Sequence, residues 1–379
     1  MPDRVQNISP QSSPAQLRVV MAGGGTGGHI FPAIAIANAI KAQRPGTEFL
    51  FVGARGKMEM EKVPQAGYAI KGLTIAGFNR SSLIKNLALP FKLIKSFFQV
   101  RNIFKTFKPH AVIGVGGYSS FPVLRYAQIQ GIPTFIHESN SFGGKSNIIL
   151  ARRAVKVFVA AVGMERFFPA NKIVVSGNPV RAGIAENNTS RAEARSFFGL
   201  NASRKTVLII GGSLGARSIN SAISKKLADF ENHDLQLIWQ TGKQPQFSKA
   251  GGELRQSIWI GEFIADMDKA YAAADVVVSR SGAMAVTEIM VSGKPAIFVP
   301  YPHAAEDHQT ANARFLVDRN AAWMIQDGDV ENKLVSMIID LAKNEELQQT
   351  FKQNISTLAI RNADKLIAEE IVNAISERA

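Results

Sequence analysis

The chain has 379 residues, 46% of them apolar and none of them cysteine, with 44 Lys and Arg against 30 Asp and Glu for a net charge of +14. Such a length exceeds what one hydrophobic core usually organises, so two domains are expected. Lack of cysteine excludes disulfides, thiolate chemistry and Cys-based zinc sites, while the positive balance favours anionic partners without choosing among phosphates, nucleic acid and acidic lipid.

Residues 1–16 are polar, carry Pro10 and Pro14, and have no apolar centre, so they read as a loose tail and not as a signal peptide. Leu17 to Ala22 is an apolar, β-branched run that leads into glycines and then into a helical pattern through Ile30, Ile34, Ala37 and Ile40. That order predicts strand, glycine turn, helix. Further strands are predicted at Glu48 to Gly53, Ala111 to Val115 and Thr134 to His137. Between Arg80 and His110 stand seven Lys or Arg and no acid. Pro90 suits a helix start there. Leu93, Phe97, Val100, Phe104 and Phe107 recur at core spacing, and Phe91, Ile94 and Phe98 form a second apolar stripe flanked by Lys95, Arg101 and Lys105. A second stripe on a basic helix predicts contact with anionic lipid; packing against Leu83, Ile84 and Leu87 is the competing expectation. No run of about 18 apolar residues predicts a spanning helix.

The pattern restarts at Thr206 to Ile210, which runs into Gly211, Gly212 and Gly215 and a helix from about Ala216. Strand signals follow at Asp275 to Ser279 and Ala296 to Pro300, around a helix closed by Gly293. Strands alternating with helices predict an α/β protein of two Rossmann-like, doubly wound parallel-sheet domains. Gly177 and Pro179 put the join near Ser176 to Arg181, giving an N-terminal domain over 17–176 and a C-terminal one from 177. Ligands of such pairs lie in the cleft, outside the carboxyl ends of the strands.

The turn Gly23-Gly24-Gly25-Thr26-Gly27-Gly28-His29 satisfies G-x-G-x-x-G, where backbone can approach a ligand and a helix N-terminus favours negative charge. A dinucleotide site would want an acid ending the second strand, yet that strand runs Val52-Gly53-Ala54-Arg55; only an NADP reading survives, through Arg55. Gly114 to Gly117 and Gly211 to Gly215 repeat the signal, so a tight turn is a weaker explanation for all three than for any one. A nucleic-acid binder, suggested by the charge, lacks a recognition helix or aromatic platform, with aromatics at 8%.

GGGTGGHIFPAIAIA at 23–37, GVGGYSSFPVL at 114–124, GNPVR at 177–181, GGSLGAR at 211–217, SRSGAMAVTEIMVSGKPAIFVPYP at 279–302 and HQTANA at 308–313 together resemble glycosyltransferase family 28. The resemblance covers nearly the whole chain in order. It points to the branch of that family that moves N-acetylglucosamine onto lipid-linked muramyl peptides in peptidoglycan synthesis. It implies a GT-B fold, a C-terminal domain ending near 363, and a helix at about 364–379 that packs back on the first domain. The implied reaction is inverting transfer from UDP-GlcNAc to the 4-hydroxyl of undecaprenyl-diphospho-MurNAc-pentapeptide, by a peripheral enzyme at the cytoplasmic face of the membrane. Another GT-B nucleotide-sugar transferase with a lipid or small-molecule acceptor is the nearest rival. Within HESNSFGGKSN at 137–147, Ser139 stands where the family usually shows Gln, and Lys145 occupies a normally uncharged place.

By that resemblance Glu288 accepts from the donor ribose hydroxyls; its apolar neighbours Ala285, Val286, Ile289 and Met290 suggest an enclosed helix, against the solvated face usual for a lone helical Glu. Ser213, Arg181 and the amides near Gly212 and Gly282 would meet the diphosphate. Ile264, with Phe263 and Met267, is expected at the uracil, Ala283 and Met284 along the donor, and His308 and Gln309 at the sugar, where Gln309 would discriminate stereochemistry. Thr26, Gly27 and Gly28 complete the set. Displacement at the anomeric carbon needs a base and relief for the leaving diphosphate. His29 is the candidate base, the alternative being a loop histidine bonded to a carbonyl; Glu138 would act as base or orient it, and Asn140 would position a sugar. Two Asp-x-Asp triplets, at 266–268 and 327–329, read as a helix start and a polar turn, so no essential metal or other cofactor is expected.

Overall fold

The computed structural model describes residues 16–77, 89–212, 214–247 and 256–378. The first part of the chain builds β1 (Arg18–Ala22), α1 (Gly27–Gln43), β2 (Glu48–Ala54), α2 (Glu59–Gln65), β3 (Ala69–Leu73), α3 (Leu89–Phe107), β4 (Ala111–Gly114), α4 (Ser120–Ile129), β5 (Thr134–Glu138), α5 (Lys145–Ala151), β6 (Lys156–Val159) and β7 (Ile173–Val175). Every strand pair is parallel, in the order β3-β2-β1-β4-β5-β6-β7. The four central residues Val19, Val20, Met21 and Ala22 are all buried, because helices cover both faces of a parallel sheet.

The second part adds α6 (Ala182–Ala185), α7 (Arg191–Phe197), β8 (Lys205–Ile210), α8 (Arg217–Lys225), α9 (Leu227–Asn232), β9 (Leu235–Gln240), β10 (Ile258–Gly261), α10 (Met267–Ala273), β11 (Val276–Ser279), α11 (Ala283–Ser292), β12 (Ala296–Phe298), α12 (His308–Val317), β13 (Trp323–Met324), α13 (Val330–Lys343), α14 (Glu345–Leu358) and α15 (Ala363–Ser376). Its sheet is again wholly parallel, ordered β10-β9-β8-β11-β12-β13. α11 stops at Gly293, whose φ of 62° is the left-handed conformation a helix end needs and glycine supplies freely.

α15 does not stay with the second sheet. Ile367, Ala368, Ile371, Ala374 and Ile375 are buried in the same core as Ile30, Ile36 and Ile40 of α1, so the last helix closes the first lobe. α1 is accordingly apolar on several sides, as a helix sandwiched between a sheet and another helix must be. The chain therefore passes between lobes at 176–181 and again at 359–362. These two passages touch: a Cβ on Gly177 would lie 2.9 Å from Cβ of Ile360.

Candidate active site

Each sheet reverses its winding at one place, between β1 and β4 in the first and between β8 and β11 in the second. Three of the four turns leaving these strands are the glycine turns and the fourth, after β11, carries Gly282; open sheets take ligands at such switch points. In the first lobe the turns after β1 and β4 interlock. A Cβ on Gly117 would sit 2.4 Å from the Gly24 carbonyl oxygen, and one on Gly23 would sit 2.8 Å from that of Gly116. Gly25, Gly116 and Gly117 also hold φ values of +90°, +96° and +84°, which other residues rarely adopt. In the second lobe, the turn after β8 lies against Thr241, whose carbonyl oxygen would be 2.0 Å from a Cβ on Gly215. A cavity of ≈ 940 Å³ opens there, lined among others by Gly212, Gly215, Arg280, Gly282, Tyr301 and Gln309.

A second cavity, ≈ 230 Å³, holds Phe31, Arg181, Met284 and Glu288. The first turn of α11 separates the two, with Gly282 lining the larger and Met284 the smaller. Glu288 is 8% exposed. Its Oε2 accepts from the Tyr271 hydroxyl at 3.2 Å, and its Oε1 lies 3.7 Å from Nε of Arg181. Burial raises the Glu288 carboxyl above its usual range, although Arg181 and the Tyr271 hydrogen bond pull it down. Tyr271 is pushed well up by burial and by the Glu288 charge. The Arg181 guanidinium also stacks over Phe31 of α1 at 5.3 Å, joining the lobes by a cation–π contact.

Across the cleft, His29 is the third residue of α1 and half-buried. Its Nδ1 lies 3.1 Å from the Gly24 carbonyl oxygen and 3.3 Å from the Thr26 hydroxyl. Burial lowers its pKa, while Glu138, the Gly24 carbonyl and Glu59 raise it and His308 lowers it further. Glu138 closes β5 and is 4% exposed. Oε1 accepts from the backbone and side-chain nitrogens of Asn140, and Oε2 from the Gly144 amide and Asn147. Four donors occupy both oxygens of this carboxylate, so the geometry favours orientation over proton abstraction. Asn140 is also engaged at both ends: its Oδ1 accepts from Asn312 at 3.4 Å. Asn312 in turn accepts from the Ser141 amide and donates to the Ser281 carbonyl, while Asn178 donates to Ser139 O and Thr287 Oγ1. Two buried asparagines thus fasten the end of β5 to α11 and α12.

Sequence comparison bears on this architecture directly. The Glycosyltransferase family 28 N-terminal domain matches residues 19–159, and the Glycosyltransferase family 28 C-terminal domain matches residues 206–371. The chain belongs to glycosyltransferase family 28. It is 49% identical over 360 residues to the UDP-N-acetylglucosamine--N-acetylmuramyl-(pentapeptide) pyrophosphoryl-undecaprenol N-acetylglucosamine transferase of Phocaeicola vulgatus, covering 94% of this chain and 96% of that one. The protein of the same name from Cytophaga hutchinsonii is 48% identical, with 97% and 98% covered. Among solved structures, Acinetobacter baumannii MurG superposes with a TM-score of 0.73 at 31% identity, over 94% of this chain and 99% of that chain.

In this family 28 chain the remaining expected residues fall as follows. Gly28 faces α11, where a Cβ would be 3.8 Å from Met284 Cγ, so the first glycine turn and α11 confront each other. Thr26 precedes α1 as its N-cap residue without a side-chain capping bond, and Gly27 opens the helix. Ala283 opens α11. Ile264 and Met267 are buried with the side chains behind Glu288, leaving backbone as the surface Ile264 can offer. His308 and Gln309 begin α12; Gln309 Oε1 accepts from the Tyr301 amide at 2.9 Å, which leaves its NH2 as donor. Just before them Glu306 and Asp307 carry φ values of 55° and 50°, in the left-handed region that residues other than glycine seldom adopt. Lys145, the unusual charge, lies 3.8 Å from Glu306 across the cleft. Ser213 lies outside the described residues.

Sequence reasoning missed Arg280. Its guanidinium donates to Val299 O, Pro300 O, Asp327 and Ser218, and it lies over the Tyr301 ring, tying the ends of β11 and β12 to α8 at the wall of the large cavity. A long, half-buried side chain held by contacts from three elements gives no local pattern to read. Asp327 is consumed by the same network. In the other Asp-x-Asp triplet, Asp266 precedes α10 without capping it and pairs with Lys269 at 3.3 Å. Among the described residues no three His, Asp or Glu side chains gather as a metal site.

On α3, Val100 and Phe104 are buried, whereas Phe91, Ile94 and Phe98 are 75%, 56% and 62% exposed. Lys95, Arg101 and Lys105 are exposed beside them. Arg80, Leu83, Ile84, Lys85 and Leu87, including the competing packing partners, lie outside the described residues. Among the described residues no helix is long and apolar enough to cross a membrane.

Proposed function

We infer that this protein transfers N-acetylglucosamine from UDP-GlcNAc to a lipid-linked muramyl-peptide acceptor, the step that completes the disaccharide of the peptidoglycan precursor. The observation that carries this is near-full-length identity of 49% to a transferase named for that donor and acceptor. In our reading the ribose hydroxyls donate to Glu288, and Arg181 and the amides at the start of α11 take up the diphosphate, with Gly282, Ala283 and Met284 at its side. Ile264 and Met267 border the base, and Gln309 and His308 meet the sugar. His29 removes the proton of the acceptor 4-hydroxyl as its oxygen attacks the anomeric carbon. UDP departs with the bonding pair, and configuration inverts. Glu138, through Asn140 and Asn147, holds the wall on which the acceptor rests. No metal is required in this scheme, because Arg181 and the helix N-terminus carry the charge of the leaving group.

Radiolabelled transfer from UDP-GlcNAc to a muramyl-peptide polyprenyl diphosphate tests the assignment. Product with inverted, β-linked GlcNAc is expected; inactivity on that acceptor with turnover on an unrelated lipid or small molecule would move the chain to another GT-B specificity.

We further propose that the Phe91, Ile94 and Phe98 stripe, with Lys95, rests on the anionic cytoplasmic face of the membrane, which keeps the enzyme beside its polyprenyl substrate. Replacing Phe91 and Phe98 by Ser should sharply reduce sedimentation with vesicles rich in anionic lipid while leaving UDP-GlcNAc binding intact. Undiminished sedimentation defeats the reading.

A further inference from the structure

Beneath the first glycine turn lies a carboxylate that the scheme above leaves without a task. Glu59 opens α2 and is 1% exposed. Its Oε2 accepts from the Gly25 amide and its Oε1 from the Ala54 amide, each at 2.9 Å. Room for it is cut from two neighbouring loops: a Cβ on Gly24 would be 2.3 Å from Oε1, and one on Gly53 would be 2.4 Å from Cγ. Burying a carboxylate is costly, and packing alone would be served by an apolar side chain of similar size.

What the carboxylate touches suggests its use. The Gly25 N–H belongs to the same peptide group as the Gly24 carbonyl, and that carbonyl lies 3.1 Å from His29 Nδ1. A carbonyl can only accept, so Nδ1 carries the hydrogen and, in the neutral ring, Nε2 keeps its lone pair. The ring edge bearing Nε2 lies against Gly116, where a Cβ would approach it to 2.8 Å. Carboxylate, peptide and imidazole therefore form one hydrogen-bonded line.

We propose that Glu59 is a positioning residue for glycosyl transfer, acting through the Gly24–Gly25 peptide to hold His29 in the Nδ1–H tautomer with Nε2 presented to the acceptor hydroxyl. The proposal rests on His29 being the base. An anion on the N–H side of a peptide increases electron density on its carbonyl oxygen, and that oxygen then holds Nδ1–H more firmly. As Nε2 takes the hydroxyl proton, the same line stabilises the imidazolium. Glu59 and the peptide exchange no proton; the new C–O bond forms as the anomeric C–O bond to phosphate breaks.

Steady-state transfer by the full-length protein across the pH range tests this, using Glu59→Gln, Glu59→Asp, His29→Ala and the His29→Ala/Glu59→Gln pair. Turnover of Glu59→Gln should fall by about 10- to 100-fold, the size typical of losing a group that orients a functional imidazole, with KM for UDP-GlcNAc unchanged. The titratable groups facing His29 are Glu138 and His137 from β5, Glu59 from α2 and His308 from α12, and burial keeps His137 neutral with a pKa lowered to about 4. Removing the Glu59 charge removes an upward influence, so the acid limb of kcat/KM should move to lower pH and return in Glu59→Asp. The double variant should be no slower than His29→Ala, because both changes act on one group. Nitrogen-15 spectra of the wild-type imidazoles should show His29 protonated at Nδ1, a reading that holds even if Glu59→Gln fails to fold. An unshifted limb with full turnover in Glu59→Gln, additive losses in the double variant, or an Nε2–H tautomer each overturns the proposal. Full activity of His29→Ala would instead remove the base itself, a result distinct from an inactive His29→Ala beside an unaffected Glu59→Gln.

Discussion

Replacement of His29 by alanine is expected to lower kcat by about 10²- to 10⁴-fold, the usual contribution of a positioned general base. UDP-GlcNAc binding should survive, since the imidazole stands on α1 of the first lobe whereas Glu288 stands on α11 of the second. The wild-type rate should be lost on an acid limb below the ordinary imidazole range, because burial lowers the His29 pKa more than Glu138, Gly24 and Glu59 restore it. Steady-state assays with intact lipid acceptor provide the measurement, and normal turnover by His29→Ala removes this residue from the chemistry.

Glu288→Ala should act on the donor instead. A hydrogen bond to a buried charged group contributes about 1.5–3 kcal/mol, so the dissociation constant for UDP-GlcNAc should rise roughly 10- to 100-fold while the acceptor KM holds. The pH dependence separates binding from folding. Because burial raises the folded-state pKa of Glu288, its ionisation opposes folding above that pKa, and the opposition disappears as the pH falls through it. Thermal stability of Glu288→Ala near neutral pH should therefore match or exceed wild type, whereas wild-type donor affinity should decline as the carboxylate protonates. Calorimetric titration of UDP-GlcNAc over that range checks both, and a variant with unaltered donor affinity would detach Glu288 from the ribose.

How much of this was legible in the residues depended on whether a feature imposes a local rule. The switch-point turns were legible because left-handed φ values at Gly25, Gly116 and Gly215 demand glycine, and glycines stand out after an apolar strand. Central strands such as β1, β4 and β8 were legible from unbroken apolar runs. β9 gives no such run: its sequence LQLIWQ carries Gln236 and Gln240, both buried and both donating to backbone carbonyls, so polarity there does not mean exposure. β3, β7 and β13 are short or only partly buried, with little alternation to read. Glu59 and Arg280 escaped for a further reason. Their partners are main-chain atoms and side chains distant in sequence, such as Gly25 for Glu59 and Asp327 for Arg280, and only folding brings them together. The two inter-lobe asparagines, Asn178 and Asn312, escaped in the same way.

The paired passages between the lobes limit how the cleft can open. A single covalent link would leave the lobes free to turn about several axes, whereas two passages in contact at Gly177 and Ile360 restrict that freedom. The same arrangement makes the lobes inseparable by a simple cut: ending the chain before 363 would strip the first lobe of Ile367 and Ile371 and expose the apolar surface of α1 that they cover.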